Sequence, residues 1–296
     1  MSFLTLVSHM RNCFNSQSFF GYLVCRKNYV IICAILIAAT FVICAISAPL
    51  LYSYESATRV DLLNSLLLPS MNHLLGTDEL GRDLLARVVW GGRITLLVAL
   101  FAVVIAMVMG VTIGGVCGYY DNWFTSVVMR FIDSMIAFPR ALFAIIIVTI
   151  LGPGVVSLTL AIGISTIPAN VRLFRGPVLA LKQRQFTTAA KSLGASNLSI
   201  LFSHILPNTT SLIIVQGTLS LAEAILIGSG LSFLGLGPQP PTPEWGAMIA
   251  GSRAQITQYP HVIFAPGLAL FIIILSFNLI GDALRDYIDP RSRKAL

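Results

Sequence analysis

Residues 28–54, NYVIICAILIAATFVICAISAPLLYSY, contain no charged side chain, and that decides the solvent in which this chain folds. A helix needs about 20 apolar residues to cross roughly 30 Å of hydrocarbon, and residues 30–51 supply them. The run is too long for the core of a secretory signal, and Ala45-Ile46-Ser47-Ala48 makes only a weak cleavage site, so a retained first span is expected. Composition extends the reading to the rest of the chain. Hydrophobic residues fill 56% of 296 positions and charged residues 10%, against roughly 25% charged in soluble domains. A water-facing surface of that kind would aggregate. Lipid must cover much of it.

Working outward, residues 94–120 form a second uncharged stretch, and residues 141–171 a third that Gly152-Pro153-Gly154 divides. The third span is therefore expected from about Phe131 to the glycine pair and the fourth from there to about Leu173. A fifth is expected over residues 211–236 and a sixth over 262–280. The fold class is all-α, with six transmembrane helices and both termini on one side. With those termini inside, 14 of the 19 basic residues face the cytoplasm, and Arg59, Arg82, Arg87, Arg93 and Arg253 face out. Cytoplasmic loops are the ones enriched in Lys and Arg. The net charge of +7 has the same origin, since the basic residues are scattered rather than gathered into a nucleic-acid patch.

Reactive chemistry is sparse. Cys13, Cys25, Cys33, Cys44 and Cys117 show no paired spacing, and His9, His73, His204 and His261 are isolated, so neither a disulfide framework nor a metal cage is expected. No cofactor is expected. None of the lysines (Lys27, Lys182, Lys191, Lys294) follows a glycine, so the chain lacks a phosphate-binding Gly-Lys loop and ATP would have to be hydrolysed by another subunit. No nucleophile–base pair suggests an enzyme.

The polar segment 175–208 is where such a subunit would dock. Thr187-Thr188-Ala189-Ala190-Lys191-Ser192-Leu193-Gly194 reads as a short helix capped by threonine and stopped by glycine. Ser196 is placed to cap a second helix that Pro207 ends. The alternatives are a rigid coupling protrusion and an ordinary amphipathic hairpin. On the opposite side, Asp78, Glu79, Arg82 and Asp83 fall at i,i+3 and i,i+4 spacings, as on a charged helix. Such a helix would meet a partner protein or simply lie solvated at the interface. Glu223 and Asp133 sit at membrane depth, where a charge is costly. Glu223 either lines a translocation path and favours a cationic group on the cargo, or pairs with a neighbouring helix.

Several stretches occur together in order. These are His73-Leu74-Leu75-Gly76-Thr77-Asp78-Glu79-Leu80-Gly81-Arg82-Asp83, Leu193-Gly194-Ala195-Ser196, Ser232-Phe233-Leu234-Gly235-Leu236-Gly237, Pro241-Thr242-Pro243-Glu244-Trp245-Gly246, Asn278-Leu279-Ile280-Gly281-Asp282 and Asp289-Pro290-Arg291. The series resembles the dipeptide/oligopeptide/nickel family of binding-protein-dependent ABC permeases, on the side of its second (C-type) subunit. Ala189-Ala190, Gly194 and Ile205-Leu206-Pro207 resemble that family's EAA loop.

The resemblance implies a type I importer fold in a bacterial cytoplasmic (inner) membrane. Residues 1–28 would be a cytoplasmic segment, and 29–72 the first span with an external segment. Residues 73–291 would be the permease domain with its coupling loop at 175–208, followed by a short tail at 292–296. The implied partners are a second homologous permease, two ATP-binding subunits, an external substrate-binding protein and the lipid bilayer. Thr188, Ala189, Ala190, Gly194, Ala195, Leu206 and Pro207 would form the ATPase-coupling loop, and Asp78, Glu79, Arg82 and Asp83 a binding-protein or partner contact. Thr188 departs from the family's usual Glu and offers no anion there. Short peptides are the expected cargo. Nickel, metal chelates and glutathione are alternatives within the family, and a self-contained secondary transporter is the alternative outside it, though neither an inverted repeat nor several midplane charges support that.

Overall fold

A computed structural model describes residues 29–120 and 122–288. Cys13, Cys25, His9, the Asp289-Pro290-Arg291 signature, six of the basic residues counted as cytoplasmic and both terminal segments lie outside the described residues. The elements are α1 (Tyr29–Leu51), α2 (Tyr54–Thr58), α3 (Leu84–Tyr119), α4 (Trp123–Ile136), α5 (Arg140–Leu151), α6 (Val155–Lys182), α7 (Gln185–Ser192), α8 (Asn197–Phe233), α9 (Trp245–Gly251) and α10 (His261–Ile288). No strand occurs among the described residues beyond an isolated Thr77–Asp83 bridge.

In lipid the usual burial pattern inverts, because helices attract each other through close packing rather than through water exclusion. In α1 only the small residues Ala34, Ala38, Ala45 and Ala48 are buried, while Leu36, Ile43, Ile46 and Leu50 point outward. The alanine stripe lets α1 lie close against α3 and α10. A stronger version joins α3 to α6, the most extensive helix pair. Gly110, Gly114 and Gly118 recur every four residues along α3 and face Asn170, Val171 and Arg175 one by one on α6. A Cβ on Gly114 would stand 2.6 Å from the Val171 carbonyl oxygen, and one on Gly118 would stand 2.8 Å from that of Arg175. Backbone meets backbone along this seam.

Among the described residues five helices are long and apolar enough to cross a membrane, and there is a sixth crossing only if α4 and α5 count together. The expectation of one continuous third span from Phe131 is corrected: the chain turns by 94° between α4 and α5. Pro139 is the cause. It has no N–H to continue the ladder, and its ring drives Phe138 out of helical geometry. The expected end of the fifth span's approach also changes. Pro207 does not stop a helix. The chain passes through a π turn at Ile200–Ile205 and a 3₁₀ turn at Leu206–Thr209, then continues into Thr210–Phe233. The missing proline N–H is absorbed by a shift in hydrogen-bond register.

Gly114→Ala should force α3 and α6 apart and destabilise the detergent-solubilised protein by about 1–3 kcal/mol. Gly176→Ala, on α6 with nothing within 4 Å of the added carbon, should be neutral or stabilising by up to about 1 kcal/mol. Thermal melts of the two variants, read by size-exclusion recovery, check the opposite signs.

Candidate functional site

Between α6 and the membrane part of α8 the chain leaves the bundle as a protrusion at the end where α3 and α6 finish. Its first arm is α7. The expected threonine cap is corrected: the helix starts three residues earlier, at Gln185, and Arg184 at its N-cap offers no side-chain cap. Thr187 is instead buried and donates its hydroxyl to the Leu181 carbonyl at 2.9 Å, tying α7 to α6. Gly194 ends the helix as expected, with φ of +87°. The Gly194 N–H donates to Lys191 O at 3.0 Å and the Ala195 N–H to Ala190 O at 3.1 Å. Those two bonds define a Schellman corner, which needs a left-handed residue at the position of Gly194. Ser196 then accepts from the Ser199 N–H and caps the second arm.

A separate core fixes the protrusion to the bundle. Ile200, Leu201 and Ile205 are fully buried against Tyr119 of α3 and Val178 of α6. Half-buried Ala190, Ala195 and Leu206 pack around them. The Tyr119 hydroxyl donates to Asn197 Oδ1 at 2.9 Å, and the Lys182 ammonium sits over the Tyr119 ring. The tip is left bare. Thr188, Ala189 and Gly194 are exposed, as is Pro207 nearer the membrane arm, and Leu193 is 89% accessible. The sequence-picked residues of the loop are therefore brought together, three as anchors and the others as surface.

At the opposite end, the expected charged helix over residues 76–87 is corrected. Gly76 and Gly81 take φ of +82° and +72°, which breaks a helix, and α3 begins only at Leu84. Asp78 does pair with Arg82, at 2.7 Å, but in a tight turn, and it also accepts from Arg87 at 3.1 Å. All three side chains are buried, so Asp78 and Arg82 brace this cap and are not a contact surface. Arg87 also donates to the Ala57 carbonyl at 2.8 Å. The Glu79–Arg82 pair is not formed. Glu79 faces Gln255 at 3.3 Å. Asp83 caps α3 through the Ala86 N–H and lies 2.8 Å from His73 Nδ1.

A second buried acid was not singled out from the sequence. Glu244 caps α9, accepting from the Ala247 N–H at 2.9 Å and from the Thr95 hydroxyl at 3.0 Å. Next to it Trp245, 1% exposed, lies against Gly91 and Gly92 and donates to the Val88 carbonyl at 2.8 Å. The loop from Gly237 thus plugs the bundle with an indole. Burial pushes the Glu244 carboxyl above its usual range, partly offset by the backbone donors of Ala247 and Gly246.

Glu223 is paired, with Arg140, the first residue of α5. Of its two expected roles, the helix-to-helix pair is formed. Arg140 therefore leaves the set of cytoplasmic loop charges. Asp133 lies 3.9 Å from Arg172 on an exposed face. Among the described residues no group of His, Cys, Asp and Glu gathers as a metal site.

Residues 110–294 match the family described as binding-protein-dependent transport system inner membrane component. The chain belongs to that family. It is 44% identical over 268 residues to the dipeptide transport system permease protein DppC of Alkalihalophilus pseudofirmus, covering 90% of this chain and 88% of that protein. It is 43% identical over 266 residues to the glutathione transport system permease protein GsiD of Escherichia coli O157:H7, with the same coverage. This permease is accordingly a multi-pass inner-membrane subunit of an ABC importer, and membership implies ATPase and substrate-binding partners. The alternative of a self-contained secondary transporter is thereby set aside.

Asp78→Asn should cost the permease about 3–5 kcal/mol, because two buried guanidinium groups lose their anion. A fall in melting temperature with unchanged expression checks it. Glu244 yields a pH signature. A raised carboxyl makes stability full below the ordinary carboxylate range and progressively lower as pH rises toward the folded-state value. Glu244→Gln should flatten that decline in melts between acid and neutral pH.

Proposed function

We propose that this permease carries short peptides or chemically similar solutes across the membrane, driven by ATPase subunits that grip the α7 protrusion. It does so beside a second homologous permease, with two ATP-binding subunits and an external binding protein. The supporting observation is the protrusion itself: a bare tip around Leu193 and Gly194, held by a Schellman corner, on a core shared with the ends of α3 and α6. A displaced tip would move those helices as one body, because the glycine seam leaves them no room to slide independently. Thr188 contributes surface rather than charge, so neighbouring apolar contacts, with Leu193 foremost, hold the ATPase.

In this reading the termini and α7 are cytoplasmic and the cap at residues 53–83 with α9 is external. Removing Arg140 from the loop charges leaves the inward excess of Lys and Arg in place. With Asp78 and Arg82 sealed in the cap and both oxygens of Asp83 engaged, Glu79 is the one of these four side chains best placed for an external partner. Dipeptide and glutathione relatives are matched about equally, at 44% and 43%. Both cargoes are small peptidic solutes carrying an ammonium and a carboxylate, and that class is the one we assign to this chain.

Gly194→Pro tests the coupling role. Proline cannot adopt φ of +87°, so the corner breaks while the spans are untouched. The variant is expected to reach the membrane normally and to lose peptide-stimulated ATP hydrolysis and uptake at least tenfold. Wild-type uptake would contradict the role. Gly194→Ala, strained by about 1 kcal/mol at that φ, should fall between the two.

A further inference from the structure

Glu223 lies thirteen residues after Thr210 and ten before Phe233, or about 20 and 15 Å along the helix axis. That is near the middle of the hydrocarbon. Yet the Glu223 and Arg140 side chains are 41% and 30% exposed on the surface of the chain. A charged pair turned to lipid at that depth costs several kcal/mol, so this face is covered by water or protein. The same face of α8 agrees. Gln216 and Gly230 sit seven residues to either side of Glu223, neither is buried, an added carbon on Gly230 would meet nothing within 4 Å, and Leu226 next to them is 60% exposed. This face is open rather than packed into a seam, and Glu223 and Gln216 are the polar side chains on it.

We propose that Arg140 and Glu223 are an exchangeable ion pair that reads zwitterionic cargo. The guanidinium receives the cargo carboxylate and the Glu223 carboxylate receives its ammonium. This rests on the reading above that the chain carries small peptidic solutes; the open face around Glu223 is where such a solute would pass. Pulling the pair apart in a poorly solvated path leaves two bare charges. A solute carrying one ammonium and one carboxylate replaces both partners at once, and the planar guanidinium suits a carboxylate in two-point contact. A solute with one charge leaves the other protein group unpaired, so the pair stays closed against it. The placement of Arg140 supports the idea: it heads α5 immediately after the 94° turn, where swinging a long side chain needs no helix to unwind.

The test uses the complete transporter with its partner permease, ATPases and binding protein, reconstituted in proteoliposomes. Uptake of radiolabelled dialanine and of dialanine amide, which lacks the carboxylate, is measured for the wild type, Arg140→Gln, Glu223→Gln and the reversed pair R140E/E223R. Each single variant is expected to lower dialanine uptake at least tenfold. Arg140→Gln should also shrink the preference for dialanine over its amide at least tenfold relative to wild type, with the binding protein the same in both. The reversed pair should recover dialanine uptake to within about threefold of wild type, since it offers the same two charges. Equal loss on both probes marks a merely structural pair and overturns the proposal, as do single variants with wild-type uptake or a reversed pair as weak as the single variants. A wild-type complex that leaves dialanine outside overturns the peptide reading itself and this inference with it.

Discussion

The contact of α3 with α6 across Gly110, Gly114 and Gly118 is the constraint on which the rest of this permease depends. Lipid offers no hydrophobic drive between helices, so two spans are held only by how closely their surfaces fit. Three glycines bring the α3 backbone onto the α6 backbone, and the resulting pair behaves as a single stiff body. The protrusion and the external plug are both mounted on it. The protrusion is cored by Tyr119 and Val178 at one end of the pair. At the other end Gly91 and Gly92 of α3 admit the Trp245 indole, and Thr95 meets Glu244.

The few charges inside this apolar chain are placed in complementary sets, each with a different exposure. Asp78 between Arg82 and Arg87 is sealed within the cap and serves only to hold the turn against the start of α3. Glu244 is sealed too, but as an acid among neutral donors, which makes it sensitive to protonation. Arg140 with Glu223 is the contrasting case: an ion pair at mid-helix depth that stays partly open. Burial separates structural charge from working charge here, since a sealed pair cannot be exchanged for cargo.

Much of this was legible in the sequence for simple reasons. Charge-free runs long enough to cross hydrocarbon located the spans, because hydration of a single charge outweighs every local preference. Gly194 and Ser196 were readable because a left-handed stop and a hydroxyl cap are local chemistry. Errors arose where two conformations share a pattern. Asp78 and Arg82 lie four apart in a helix and in the glycine-flanked turn that actually forms, and Gly76 and Gly81 were the residues that distinguish them. Pro139 carried the signal for the α4–α5 bend, but the mostly apolar run over residues 131–151, broken by Asp133 and Arg140, reads as one span by length and composition. Arg140 with Glu223 and Thr95 with Glu244 join distant parts of the chain, and no local periodicity reports such pairs. Asp78, Arg82 and Glu223 are conspicuous in the sequence as charges beside or within apolar spans. Their partners came only with the fold.

The proposed motor contact is the tip of α7, on a side chain that no described residue covers. Leu193, 89% exposed, is therefore the position to interrogate directly, by replacing it with a photo-crosslinking phenylalanine analogue in the assembled transporter. Illumination should join this 32.0 kDa chain to an ATP-binding subunit, with a yield that changes between nucleotide-free and ATP-bound states. A crosslink to the external binding protein, or to lipid alone in every nucleotide state, would contradict it.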